Sequence, residues 1–208
     1  MIVITRARDR DVCYAYDLFA LKKAHPLIGF LEQECEEPFY YGTRVWNSGW
    51  LAIDHLEHHG LPAGSGVIDL GCGWGLLGIF CARRFGCRVL AVDTDPLVAP
   101  FLDLHARINE VSLSPRFVDM ARLSDRDLRG RTLLAGADIC FWPELVTPLY
   151  ELIRRALDLG VQRILISDPG REPFETLAAR CRKELGGRIL DHSLEKPKVT
   201  GRLLVIDR

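Results

Sequence analysis

Between residues 66 and 208, short runs of Val, Ile and Leu recur at regular intervals, and each is followed by a longer stretch with apolar residues every three to four positions. That rhythm predicts strand, helix, strand in succession, the mark of a mostly parallel sheet. Strands are expected at Gly66-Val67-Ile68-Asp69-Leu70, Arg88–Val92, Arg116–Val118, Thr132–Phe141 and Val161–Ser167. Helices are expected at Leu76–Phe85, Pro96–Asn109, Val146–Leu159 and Glu172–Leu185, the last closed by Gly186-Gly187. In the tail, Arg188–Leu194 and Leu203–Asp207 are strand-like, and the residues between them are too few for a crossover helix. They should pair as an antiparallel hairpin. The fold class is therefore a doubly wound α/β domain with a mostly parallel seven-stranded sheet and an antiparallel C-terminal hairpin.

Upstream the pattern is less regular. Met1–Thr5 reads as a short strand, Asp11–Ala24 as a helix with a stripe of Val12, Tyr16, Phe19 and Ala20, and Leu27–Glu37 as a second helix. His25-Pro26 separates the two helices. Residues 1–41 fit a structural cap over the core and equally a lid that selects substrate. The aromatic run from Tyr40 to Trp50 can pack internally or form one wall of a ligand site, and a helix continues through Leu51, Ile53, Leu56 and His59.

Composition narrows the partners. With 48% hydrophobic residues, 26% charged residues and a net charge of −1, nothing global attracts nucleic acid or an anionic membrane. No run approaches a membrane span, the start lacks the features of a signal peptide, and the seven cysteines are scattered without a Cys-x-x-Cys pair. A cytoplasmic location is expected. His55, His58 and His59 have no carboxylate or cysteine at ligand spacing, so no metal site is expected.

The chemistry centres on Gly71, Gly73 and Gly75, which lie between the first strand and a helix. Gly73-x-Gly75-x-x-Gly78 by itself matches a dinucleotide loop. Asp69 beside that loop would repel a pyrophosphate and could hold an ammonium, directly or through water, while Asp93 at the end of the second strand can accept both hydroxyls of a ribose. Asp119, after the third strand, can accept an exocyclic amine, with Met120 packed on the ring. These features fit S-adenosylmethionine, which carries an ammonium, a sulfonium and an unphosphorylated ribose.

With Asp69 before the loop and Val92-Asp93-Thr94-Asp95-Pro96 after it, the sequence resembles the class I, seven-strand methyltransferases. Gly42-x-x-Val45-Trp46 and Ala137-Asp138-x-x-Phe141 are similar to elements of the protein-lysine branch, which has Asp-x-x-Tyr at the latter place. Asp168-Pro169-Gly170-Arg171 reads as a turn and also resembles a segment of the branch that methylates the β subunit of electron-transfer flavoprotein. The resemblance implies a Rossmann-like methyltransferase domain over 42–208. It implies cofactor binding by Trp46, Asp69, Gly71, Gly73, Gly75, Asp93, Thr94, Asp119, Met120 and Ala137, and a catalytic role for Asp138 and Phe141. The departure at Phe141 removes a hydroxyl and keeps the aromatic ring. The implied acceptor is a lysine of a protein substrate or a small molecule. The Asn-Pro-Pro-Tyr motif of nucleobase amino methylation is absent. The rivals are a nicotinamide-dependent oxidoreductase and a cofactor-binding scaffold without activity.

Overall fold

The computed structural model describes residues 10–39 and 41–208, so the strand expected at Met1–Thr5 and the side chain of Tyr40 lie outside the described residues. Seven strands form one sheet: β3 (Gly66–Leu70), β4 (Arg88–Asp93), β5 (Ser114–Phe117), β6 (Leu133–Ala137), β7 (Arg163–Asp168), β8 (Arg188–Glu195) and β9 (Lys198–Asp207). Their order is β5-β4-β3-β6-β7-β9-β8. The first five are parallel, whereas β9 runs antiparallel to both β7 and β8. From β3 the chain steps outward to β4 and β5, then returns to lay β6 against the other side of β3. That reversal opens a crevice beyond the carboxyl ends of β3 and β6, where open α/β sheets bind ligands.

Strand alternation builds two cores. Ile68, Leu70, Val92, Leu134, Ile164 and Ile166 face α6 (Val146–Asp158) and α7 (Glu172–Leu185). Val67, Val89, Leu133, Ala135, Leu165 and Leu203 face α2 (Ser48–His59) and α3 (Leu76–Phe85). Asp69 comes two residues after Val67 and therefore shares the α3 face. The strand expected over Thr132–Phe141 ends at Ala137, because Asp138 takes a φ of 60°, which breaks the extended run. Pro96–Val98 forms one tight 3-10 turn, capped by Asp95, before α4 (Ala99–Ile108).

The helix expected over Asp11–Ala24 is instead a hairpin, β1 (Val12–Ala15) paired antiparallel with β2 (Leu18–Leu21). Tyr16 and Asp17 join them with φ of 52° and 58°, the signs a type I′ turn demands. The helical spacing of Val12, Tyr16, Phe19 and Ala20 was outweighed by tertiary contacts. Tyr14 packs on Phe19 across the strands at 4.9 Å, and Leu18, Ala20 and Leu21 are buried. The helix expected from Leu27 to Glu37 is α1 (Pro26–Glu34), with His25 Nδ1 accepting the N–H of Leu27.

α4 holds the hairpin through two buried side chains. Asn109, just past its end, accepts the N–H of Phe19 and donates to the same residue's carbonyl, at 2.8 and 2.9 Å. His105 Nε2 accepts the N–H of Leu21 at 3.1 Å, and Nδ1 donates to the Phe101 carbonyl at 2.8 Å. This pattern requires a neutral imidazole protonated on Nδ1, and burial pushes its pKa from 6.5 down to about 4. A base held neutral in this way contributes its stability in full above the unfolded value and loses it as pH falls toward the folded one.

Lowering the pH from 6.5 to about 4 is therefore expected to remove roughly 3 kcal/mol of stability through His105. Urea denaturation across that range measures it. His105→Gln should flatten the slope, leaving the contribution of His55, which burial also pushes down to about 4. An unchanged slope would place the titration elsewhere.

Candidate functional site

The site is built from the turns at the carboxyl ends of the parallel strands. After β3 the chain turns through Gly71, Gly73 and Gly75, all at positive φ (62°, 50° and 83°), before α3 begins. The need for glycine differs along the turn. A Cβ on Gly71 would stand 2.4 Å from Ile139 Cγ2 and one on Gly75 would stand 2.2 Å from Leu102 Cδ1, whereas a Cβ on Gly73 would meet nothing within 4 Å. The turn is held from the next strand: Asp93 Oδ2 accepts the N–H of Gly73 at 2.8 Å, and Cys72 N–H donates to the Val92 carbonyl at 2.9 Å. Asp93 Oδ1 also accepts the N–H of Asp95 at 3.0 Å. Burial raises the pKa of Asp93, with these N–H donors opposing it.

A cavity of about 520 Å³ lies over these strand ends, a size ordinary for a small-molecule site. Gly71, Gly73, Asp93 and Thr94 line it from β3 and β4, Asp119 and Met120 from the turn after β5, and Ala137, Asp138 and Phe141 from the end of β6. Trp46 closes another side, with Arg44 stacked over its ring at 4.0 Å. Ten of the twelve residues expected at a site thus share one cavity. Asp69 and Gly75 do not line it. Asp69 is 2% exposed, and its Oδ2 accepts the N–H of Gly78 in the first turn of α3 at 2.9 Å. Burial pushes its pKa up to about 7, against the pull of that N–H. Of the two modes expected for Asp69, direct contact or contact through water, the direct one is corrected: its place in the β3 alternation turns it toward α3. Gly75 serves the turn and close packing on Leu102.

Asp138 occupies a different setting from the one expected. Its N–H donates to the Ser167 carbonyl at 2.9 Å, its Oδ2 accepts the N–H of Ser48 at the start of α2 at 3.3 Å, and its Oδ1 accepts from Arg171 at 2.5 Å. The same guanidinium binds Asp168 at 2.7 Å and 3.1 Å. Burial raises the Asp138 pKa, partly offset by Ser48 and Arg171. Phe141 packs edge-on against Tyr41 at 5.4 Å and Trp142 at 4.7 Å. The sequence offered Arg171 as part of a turn, with its Asp168-x-x-Arg171 spacing as the one local clue. Its link to Asp138, 33 residues away, had no sequence signal.

Asp95 also lines the cavity. Its Oδ1 caps the next turn through Leu97 N–H, while Oδ2 is buried and has no partner. Four carboxylates, Asp93, Asp95, Asp119 and Asp138, line the cavity against two guanidiniums, Arg44 and Arg171. Among the described residues no group of three or more His, Cys, Asp or Glu is placed to hold a metal. The donor set, an acid at the ribose position, an orphaned carboxylate oxygen and an excess of negative charge, fits a cationic nucleoside such as S-adenosylmethionine.

The sheet order and antiparallel C-terminal hairpin are those of the Rossmann-like fold of class I methyltransferases. Solved structures of this kind superpose on the chain. The ribosomal protein L11 methylase from Lactobacillus delbrueckii subsp. bulgaricus matches 82% of this chain and 81% of its own with a TM-score of 0.59 at 18% identity. TrmN from Thermus thermophilus matches 77% of this chain and 48% of its own with a TM-score of 0.61 at 20% identity. Within that class the chain resembles the protein-lysine branch. It is 28% identical over 161 residues to the electron transfer flavoprotein beta subunit lysine methyltransferase of Xenopus laevis, covering 75% of this chain and 64% of that protein. To the protein of the same name from Danio rerio it is 30% identical over 139 residues, covering 66% of this chain and 53% of the relative. The chain thus spans between half and two thirds of the length of these curated relatives. No family model matches.

The glycine turn yields a contrast. Gly71→Ala must strain a positive φ and displace Ile139, so a loss of roughly 2–4 kcal/mol is expected by chemical denaturation. Gly73→Ala meets open space and should lose only about 1–2 kcal/mol. Equal losses would mean that the turn is not seated on Ile139.

Proposed function

We propose that the protein is an S-adenosylmethionine-dependent methyltransferase that N-methylates a lysine side chain of a protein substrate. The observation that carries the cofactor assignment is the arrangement of Asp69 and Asp93 around the glycine turn. Asp69 already occupies an N–H donor in the first turn of α3, the kind of donor a dinucleotide pyrophosphate would need. Asp93 lines the cavity with lone pairs to spare for a ribose. The acid-rich lining suits a ligand with ammonium and sulfonium groups. The similarity to electron transfer flavoprotein beta subunit lysine methyltransferases supports the lysine acceptor.

Bound S-adenosylmethionine supplies an electrophilic methyl group on sulfur, and transfer to an amine is an in-line displacement. The protein's share is alignment and exclusion of water. Asp93 accepts ribose hydroxyls, Asp119 accepts an amine with Met120 beside the ring, and Asp95 Oδ2 takes a donor it now lacks. Tyr41, Phe141 and Trp142 wall the acceptor end with aromatic surface. Such surface attracts an ammonium and tolerates the methylated product. A lysine, with a reference pKa near 10.4, reacts only once it has lost a proton. Asp138 orients the incoming cation and helps that proton leave through water. Phe141 carries no hydroxyl, so it acts by packing alone.

S-Adenosylhomocysteine is expected to raise the melting temperature, with NADH having no effect. Stabilisation by NADH alone would favour the oxidoreductase. Asp93→Ala should weaken S-adenosylhomocysteine binding about ten- to hundredfold by calorimetry, the loss of roughly 1.5–3 kcal/mol of charge-assisted bonding. Unchanged affinity would remove Asp93 from the site.

The acceptor assignment is tested with labelled cofactor and a native-source lysate. Label should appear on lysine in a protein band, and Asp138→Asn should lower transfer by roughly a hundredfold while cofactor affinity stays within a few-fold. Label confined to small molecules would sink the protein-lysine assignment.

A further inference from the structure

We propose that Arg171 is a positioning residue for the acceptor end of the cavity: by bridging Asp168 and Asp138 it holds the Asp138 carboxylate ionised and fixed in direction, leaving the cluster one net negative charge to receive one cation. The proposal rests on the methyltransferase reading of the site.

The geometry carries it. Asp168, at the end of β7, is fully buried and anchors the loop beyond it, its Oδ1 accepting the N–H of Gly170 and of Arg171 at 2.9 and 2.8 Å. The Arg171 side chain folds back on the same carboxylate, with Nη2 at 2.7 Å and Nε at 3.1 Å from Oδ2. That double attachment fixes the plane of the guanidinium. Its Nη2 then reaches Asp138 Oδ1 at 2.5 Å, while its carbon lies 6.0 Å from the centre of the Phe141 ring. Arginine suits this task because its planar fork can serve two carboxylates at once and stays charged at any working pH.

Charge makes the bridge necessary. Asp168 is fully buried and the Asp138 side chain is 8% exposed, and two such carboxylates side by side would not both remain ionised without a cation between them. The groups facing Asp138 are Asp168 from β7, Arg171 from the loop before α7 and the N–H of Ser48 from the start of α2. Two carboxylates and one guanidinium sum to one negative charge. An acceptor arriving as a monocation neutralises it, whereas an anionic acceptor would add to it. Asp138 also sits at a φ of 60°, so its direction depends on these tertiary partners.

The cluster has no role in the cofactor half of the cavity, and this separates the readouts. With ¹³C-labelled aspartate, the Asp138 carboxyl is titrated by NMR in the cofactor-free wild type, Arg171→Lys and Arg171→Met, with Asp138→Asn assigning the resonance. The midpoint is expected to rise by about one pH unit or more in Arg171→Met and by less in Arg171→Lys. S-Adenosylhomocysteine affinity should stay within about threefold in both. Methyl transfer to a lysine acceptor should fall roughly ten- to hundredfold in Arg171→Met, its acid limb moving up in pH with the NMR midpoint, and Arg171→Lys should recover part of the rate. Should Arg171→Met fail to fold, Arg171→Lys carries the same comparison. An Asp138 midpoint unmoved in both variants overturns the proposal while leaving the functional reading intact. So does an equal loss of rate in both with the pH profile unchanged. A wild-type protein that binds no S-adenosylhomocysteine overturns the functional reading and, with it, the acceptor role of Arg171.

Discussion

Burying carboxylates at the carboxyl ends of parallel strands is the constraint around which this molecule is arranged. Asp69, Asp93, Asp138 and Asp168 each stand at or just past a strand end, and each accepts at least one backbone N–H. A charge removed from water without such partners would be too costly to keep. The bonds also shape the backbone, because the donors belong to turns and helix starts that would otherwise carry orphan N–H groups. Asp69 ties β3 to α3, Asp93 ties β4 to the glycine turn, and Asp138 ties β6 to α2. The loop geometry over the cavity is thus set by the same acids that give it its charge.

Division of labour among those acids arises from sheet alternation. Asp69 faces α3 and is spent on the fold, where it takes up an N–H donor a phosphate would need. Asp93, Asp95, Asp119 and Asp138 face the cavity. Among the described residues only Asp138 is matched there by a cation, and that cation is shared with Asp168. The two ends of the cavity therefore differ. One keeps carboxylate capacity free for ligand hydroxyls and amines, and the other holds a pre-formed ion cluster beneath an aromatic wall.

The aromatic wall couples the N-terminal segment to this chemistry. Tyr41, at a φ of 64°, contacts the rings of Trp46, Phe141 and Trp142, and its carbonyl accepts the Trp46 indole N–H at 2.9 Å. Trp74 in the glycine turn donates its indole N–H to the Gly42 carbonyl at 2.8 Å and stacks on Phe101. The segment from Tyr41 to Trp46 is in this way bonded to the turn it covers. The β1–β2 hairpin further upstream is held separately, through Asn109 and His105 on the α4 side.

Local signals along the chain were enough to specify the doubly wound architecture, the antiparallel end and the cavity's place, because few other folds satisfy strand and helix periods, glycine spacing and acids at strand ends together. Ten of the twelve expected site residues share one cavity for the same reason: the ligand end of such a sheet is wherever its parallel strands stop. Three features emerged only with the tertiary structure. The segment Val12–Leu21 became a hairpin since partners on α4 some ninety residues away satisfy its edge, and no local pattern encodes them. Asp69 was withdrawn from the cavity lining by the direction of its side chain, which a run of five buried positions in β3 does not announce. Asp138 acquired Arg171 across 33 residues because the return of the chain to β6 and β7 places their ends side by side, a proximity that exists only once the sheet is assembled.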